Sequence, residues 1–155
     1  MQDAQALKRY FGALIAANPG RIREVLELRQ VIEPGIAALA AARRTDAELT
    51  RLARLLEEQQ SAQGEEFALK DSRFHMAIAK ASGNEVVWEM AAVLSDMLSE
   101  SRVEPLLGPE RRARSLAGHR RVYEALAAGD PEACREAMRE HLADVGEHAL
   151  EAARR

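Results

Sequence analysis

The sequence predicts an all-α fold, an antiparallel bundle of six to seven helices, and three observations carry that expectation. Apolar residues make up 47% of the 155 but aromatics only 4%, so the apolar mass is alanine and leucine. These are the strongest helix formers, because they lose little side-chain entropy in a helix. Apolar positions recur at helical spacing, with β-branched residues sparse and scattered. Helix starts and stops punctuate the chain at short intervals, and short connections favour antiparallel neighbours.

The elements follow in order. An amphipathic helix is expected over about Asp3 to Ala17, ended by Asn18-Pro19-Gly20. A long helix follows over about Arg21 to Arg44, with Leu26, Val31, Ile32, Ile36 and Leu39 as its apolar side. Pro34 lies inside it and is expected to kink it or to start a fresh segment. Thr45 with Glu48 reads as a capping box, opening a helix in which Leu49, Leu52, Leu55 and Leu56 recur at helical spacing. Gly64 breaks that helix, and the next runs over about Glu66 to Ser82 with Phe67, Phe74, Ile78 and Ala81 inward. Ser82-Gly83-Asn84 is a stop followed by an N-cap, and a helix over about Glu85 to Val103 follows. Glu104 to Gly108 reads as a loop, and Pro109 restarts a helix that reaches about Ala128. Gly129-Asp130-Pro131 supplies a C′ glycine, an N-cap aspartate and an N1 proline, ahead of a last helix to about Ala152. Arg154-Arg155 reads as a frayed end.

The length suits one domain, spanning 1–155, with a core large enough to need no staple. A net charge of −3 argues against DNA contact by this chain, since nucleic-acid-binding domains usually present a basic face. The single cysteine, Cys134, makes no internal disulfide and fits a reducing cytosol. No apolar run approaches the roughly 20 residues of a membrane span, and Met1 to Tyr10 has no signal-peptide core. The expectation is a cytoplasmic protein with no membrane partner.

Four histidines, His75, His119, His141 and His148, carry the candidate chemistry. Asp71 and His75 are four apart, hence one turn apart on one helix face, and they flank the core candidate Phe74. His119 and His141 lie mid-helix among apolar residues, so three helices each offer ligands to a bundle interior, as bundle-core metal sites are built. Three imidazoles and a carboxylate suit zinc, and also nickel, manganese or iron. The plainer alternatives are a surface charge pair for Asp71 and His75, and hydrogen-bonded core histidines elsewhere.

The ordered segments Glu27 to Pro34 (ELRQVIEP), Ala38 to Thr45, Asp71 to Asn84 (DSRFHMAIAKASGN), His119 to Leu126 (HRRVYEAL), Gly129-Asp130, Ala137-Met138 and His141 resemble a known family. From about Val25 to Leu150 the chain looks like the FCD domain, the C-terminal effector-binding domain of the FadR subfamily of GntR-type transcription regulators. The resemblance implies that Asp71, His75, His119 and His141 hold a divalent metal, zinc first and nickel or manganese as alternatives, at the floor of a cavity. Some relatives lack the metal and bind fatty acyl ligands; all four ligand types are present here, against that branch. The resemblance also implies a small carboxylate effector and a homodimer. Arg29 is the first candidate for the effector's cationic partner, since it lies on an otherwise apolar helix; its alternative is a structural pair with Glu33. Asn84 is a second effector candidate, against a plain N-cap role, and Arg102 a third. His148 lies two turns beyond His141 and reads as solvated or as a support to the ligands.

Full regulators of this kind begin with a winged helix-turn-helix, which this sequence does not contain, so DNA contact is expected only through that missing N-terminal domain. The expected function is metal-dependent sensing of an organic acid that modulates DNA binding. Two rivals are a metal-dependent hydrolase and a plain helical dimerisation module. No second carboxylate stands out as a general base, and four protein ligands suit a sensor better than the three typical of catalytic zinc. No enzymatic activity is expected.

Overall fold

The computed structural model describes residues 2–99 and 108–152, which form seven α-helices, one 3₁₀ turn and, among the described residues, no strand. They are α1 (Gln2–Ala17), α2 (Ile22–Arg43), α3 (Asp46–Ser61), α4 (Gly64–Ala81), α5 (Glu85–Ser99), α6 (Pro109–Ala128) and α7 (Pro131–Ala152), with the 3₁₀ turn Pro19–Arg21 before α2. The expected loop at 104–107, the tail of the helix before it, and Arg154-Arg155 lie outside the described residues. No described helix is long and apolar enough to cross a membrane.

Local signals set most boundaries. Thr45 accepts from the Glu48 backbone N–H while the Glu48 carboxylate accepts from the Thr45 N–H, closing the expected capping box at the start of α3. Gly129 takes a left-handed conformation, and Asp130 accepts from the Ala133 N–H, so one tripeptide ends α6 and starts α7. Gly64, with φ of +56°, is the first residue of α4 rather than a gap before it.

α2 is the central element. It packs most extensively on α7, and also on α4, α5 and α6, while α3 rests on α4 and α6. Its stretch Ala37, Ala38, Ala40 and Ala41 is buried; such small side chains let a neighbouring helix approach closely. One core joins these helices through Ile36, Leu52, Leu55, Phe74, Ile78, Val122, Leu126, Met138 and Leu142.

The structure bears on two expectations for α2, since no fresh segment starts at Pro34 and Val31 lies off the buried side. The helix runs through Pro34 without interruption, although proline offers no N–H to the Gln30 carbonyl; Pro34 is buried in the packing that holds the helix together. Val31, placed on the apolar side by its chemistry, is 74% exposed. Helical geometry sets it opposite Arg29, Glu33, Ile36 and Ala40, which are the buried positions.

The end of α2 also ties down two other helices. Arg43 donates to the Ser82 carbonyl at the C-terminus of α4, and Arg44 donates to the carbonyls of Leu126 and Ala127 at the end of α6. Cations at helix C-termini satisfy carbonyls that have no partner within the helix. Arg44→Ala is expected to lower stability by about 1–2 kcal/mol, read as a shift in urea midpoint with unchanged slope.

Candidate metal centre and its cavity

Asp71 and His75 project from α4, His119 from α6 and His141 from α7. One ligand atom from each lies within 4.8 Å of all the others. The structure therefore brings together all four residues singled out in the sequence. His119 Nε2 is 3.1 Å from Asp71 Oδ1 and 3.2 Å from His75 Nε2. Phe74, fully buried, stacks on the His119 ring at 4.4 Å between centroids and fixes its plane.

Two residues orient the rings. Glu33 Oε1 accepts from His75 Nδ1–H at 2.7 Å, and Gln59 Oε1 accepts from His119 Nδ1–H at 2.7 Å. The Gln59 amide N–H reaches Asp71 Oδ1 at 3.4 Å, which fixes which end of that amide faces the histidine. A carboxylate and an amide oxygen only accept, so both rings carry a proton on Nδ1 and turn Nε2 toward the centre. Two ring nitrogens and a carboxylate oxygen thus converge on one point, where a positive charge, a proton shared between His119 and Asp71 or a metal ion, balances the carboxylate. The donors suit a divalent transition metal, and hydrogen bonds to the far nitrogens of the rings are how such ligands are held. Gly118 completes the centre: a Cβ there would fall 2.4 Å from His141 Nδ1, so only glycine leaves room for that ring as it stands.

The electrostatics agree. Burial raises the Glu33 carboxyl, but Arg29 and His75 outweigh it and hold it at about 2. Burial likewise raises Asp71, and His119, His75 and His141 overcome it, so Asp71 stays ionised. Burial holds His119 below its ordinary 6.5 despite Asp71, and holds His141 well below it, with the neighbouring histidines adding to the effect. Each shift makes the folded state bind fewer protons than the unfolded chain as pH falls. Glu33 contributes stability that is complete above its unfolded value and lost between about 4.5 and about 2. The two buried histidines begin to cost stability earlier, as unfolded histidines charge below 6.5. The metal-free chain is therefore expected to melt at a lower temperature at pH 5.5 than at pH 7.5, and lower again at pH 4, in buffers containing a chelator. A flat Tm across that range would contradict the burial of neutral histidines.

Above the centre lies a cavity of about 70 Å³ between α2, α4, α5 and α7. Arg29, Glu33, Asp71 and His75 line its polar end, Ser72 and Ser95 its wall, and Ile36, Ile78, Leu94 and Met138 lie among its apolar sides. Arg29 Nε donates to Glu33 Oε2 at 2.5 Å. Arg29 thus makes the pair with Glu33 that was its alternative reading, and it also lines the cavity. Asn84 is exposed, its Oδ1 accepts from the Val87 N–H at the start of α5, and it does not line the cavity. Arg102 and the His148 side chain lie outside the described residues. Cys134 is buried in the core, where burial pushes its thiol up to about 12.

Sequence reasoning missed Gln59, Gly118 and the role of Glu33 toward His75. A signal existed for two of them. Gln59 follows Leu52, Leu55 and Leu56 on the same stripe of α3, and Glu33 lies on the buried stripe of α2, so each is a polar residue in a core register. Nothing local marks Gly118.

Comparison with known proteins decides the family, since residues 24–144 match the FCD domain. The chain belongs to the FCD domain family. It is 36% identical over 131 residues to the HTH-type transcriptional regulator LutR of Bacillus subtilis (strain 168), covering 80% of this chain and 60% of LutR. It is 32% identical over 136 residues to the putative L-lactate dehydrogenase operon regulatory protein of Escherichia coli (strain K12), covering 85% of this chain and 53% of that protein. Among solved structures it is similar to Streptococcus agalactiae GntR, with a TM-score of 0.73 and 29% identity over 84% of this chain and 60% of that one. The chain thus spans a little over half the length of these relatives. The FCD domain is a regulatory domain and not a catalytic one, which agrees with the expectation of no enzymatic activity.

Proposed function

We propose that this FCD domain is the metal-dependent sensor of a small carboxylic acid within a transcription regulator. The observation that carries the reading is the convergence of Asp71, His75, His119 and His141 at the floor of a cavity that Arg29 also lines. Those four residues would hold the divalent ion, zinc first, with nickel or manganese as alternatives. An ion that accepts five or six ligands would have room for a carboxylate oxygen beside these four. The chain's own residues do the rest. Glu33 holds the Arg29 guanidinium at the cavity, and a planar fork suits a carboxylate. Ile36, Ile78, Leu94 and Met138 contribute apolar walls that exclude water from the acid's remainder.

The cavity volume bounds the ligand. About 70 Å³ open to the centres of water-sized probes is room for several water molecules, which a compact acid can displace. The elements lining the cavity belong to four different helices, so an acid drawing on α2 and α4 together would bias their packing. Coupling to DNA, through an N-terminal domain outside this chain, requires unequal acid affinity in the two packings. A homodimer is part of the same proposal, with residues 1–155 acting as one effector-binding and dimerisation domain.

The test is a thermal-shift titration of the zinc-loaded chain with short carboxylates. Wild type is expected to gain stability, and Arg29→Lys, which keeps a charge beside Glu33 but loses the fork, to need at least about tenfold more acid for the same shift. No carboxylate stabilising the wild type would overturn the reading.

A further inference from the structure

The candidate metal centre is nearly closed to solvent. His119 and His141 are buried, and the side chains of Asp71 and His75 expose only 12% and 9%. An ion with its water shell therefore reaches them only when a covering element moves. Two hollows border the centre. One lies between α3, α4 and α6 and ends on Gln59. Gln59 is fully buried, is bonded to both His119 and Asp71, and sits on a helix that Leu52, Leu55 and Leu56 fix in the main core. That side is closed by a group that the centre itself uses.

The other hollow is the cavity walled by α2, α4, α5 and α7. Three of those walls are fixed in the main core, α2 by Ile36 and Ala40, α4 by Phe74 and Ile78, and α7 by Met138 and Leu142. Among the described residues, α5 adds no buried side chain to that core; its half-buried Val87 and Ala91 rest against it. Toward α2 it is held by a small separate cluster, Leu94 on Val25 with Met97 and Leu98 beside them. An element with few buried apolar contacts opens at lower cost than the fold as a whole. Yet Ala91, Leu94, Ser95 and Leu98 of α5 form one wall of the cavity. Ser95 Oγ lies 2.5 Å from Ser72 Oγ on α4, and Ser72 is the neighbour of Asp71 in the chain.

We propose that α5 is the gate through which the metal ion enters and leaves the buried centre, and that the Ser72–Ser95 hydrogen bond is its latch. The helix swings away from α4 while the main core stays folded. This rests on the metal reading above and adds how the site is filled and emptied.

The test joins the two positions as Ser72→Cys with Ser95→Cys, whose sulfurs replace hydroxyls already in contact, within reach of a disulfide. Cys134 does not compete, being buried with its thiol pushed up to about 12. The chain is loaded with zinc, the disulfide is closed with oxidised glutathione or left reduced, and zinc transfer to a chromogenic chelator is timed. The disulfide form is expected to release zinc at least about tenfold more slowly than the same protein reduced. Ser95→Ala, which removes the latch, is expected to release it at least about threefold faster than wild type. Wild-type release is also expected to outrun global unfolding, timed in urea and extrapolated to water. Equal rates in the oxidised and reduced forms overturn the proposal, as does an unchanged rate in Ser95→Ala. Release no faster than global unfolding overturns it too, because the ion then waits for the whole fold. A wild-type chain that takes up no zinc overturns the metal reading and the gate with it; one that holds zinc and releases it equally in both forms overturns the gate alone.

Discussion

The purified chain is expected to carry about one divalent ion per protomer, and the double variant His119→Ala with His141→Ala to carry none. Two of four ligands go, and with them the contributions of α6 and α7, leaving only the Asp71–His75 pair on α4. A site that holds its ion at a thousandfold excess over Kd gains about 4 kcal/mol of folding stability, so zinc added to chelator-treated wild type is expected to raise Tm clearly. The double variant is expected to show no such rise. The comparison that matters is the zinc-induced shift and not the starting Tm, because removing the fully buried His119 ring also opens a cavity under Phe74. A wild-type chain that takes up no zinc, nickel or manganese would defeat the metal assignment. The cluster would then be a buried hydrogen-bonded network built on the His119–Asp71 pair.

Phe74→Ala is expected to cost about 3–5 kcal/mol, a large part of the stability of a domain this size. The side chain is fully buried in the main core and its ring also forms the wall against which His119 stacks. Its loss is therefore expected to appear twice, as a lower urea midpoint and as weaker metal binding. Phe74→Leu separates the two effects. Leucine restores much of the buried volume but offers no flat face, so this variant should recover most of the stability while still binding zinc more weakly than wild type. Equal zinc affinity in Phe74→Leu and wild type would reduce Phe74 to a core residue alone.

The candidate site was legible to different depths at different residues. Asp71 and His75 could be placed on one helix face because their spacing is local, and the pairing of His119 and His141 with them came from the ordered family resemblance. Glu33 and Gln59 carried only the sign of being polar in a buried register. Gly118 carried none, because its role is to leave space for a ring from another helix, 23 residues along the chain. Val31 shows the converse failure. Its chemistry is apolar and groups it with Leu26 and Ile36, which are buried, but its position lies opposite the stripe that those two share with the alanines and the Arg29–Glu33 pair.

The sequence by itself determined that this protein is helical and where most of its helices begin and end. Those properties depend on neighbouring residues: propensity, the Thr45–Glu48 box, and the left-handed glycines at 83 and 129. Only the tertiary structure decided which faces meet. Candidate ligands from α4, α6 and α7 meet at one centre, Gln59 from α3 turns His119 and Glu33 from α2 turns His75, and Ser72 meets Ser95 on α5. These are contacts between residues 22 to 70 positions apart, set by the packing of whole helices, and no local pattern encodes such a distance.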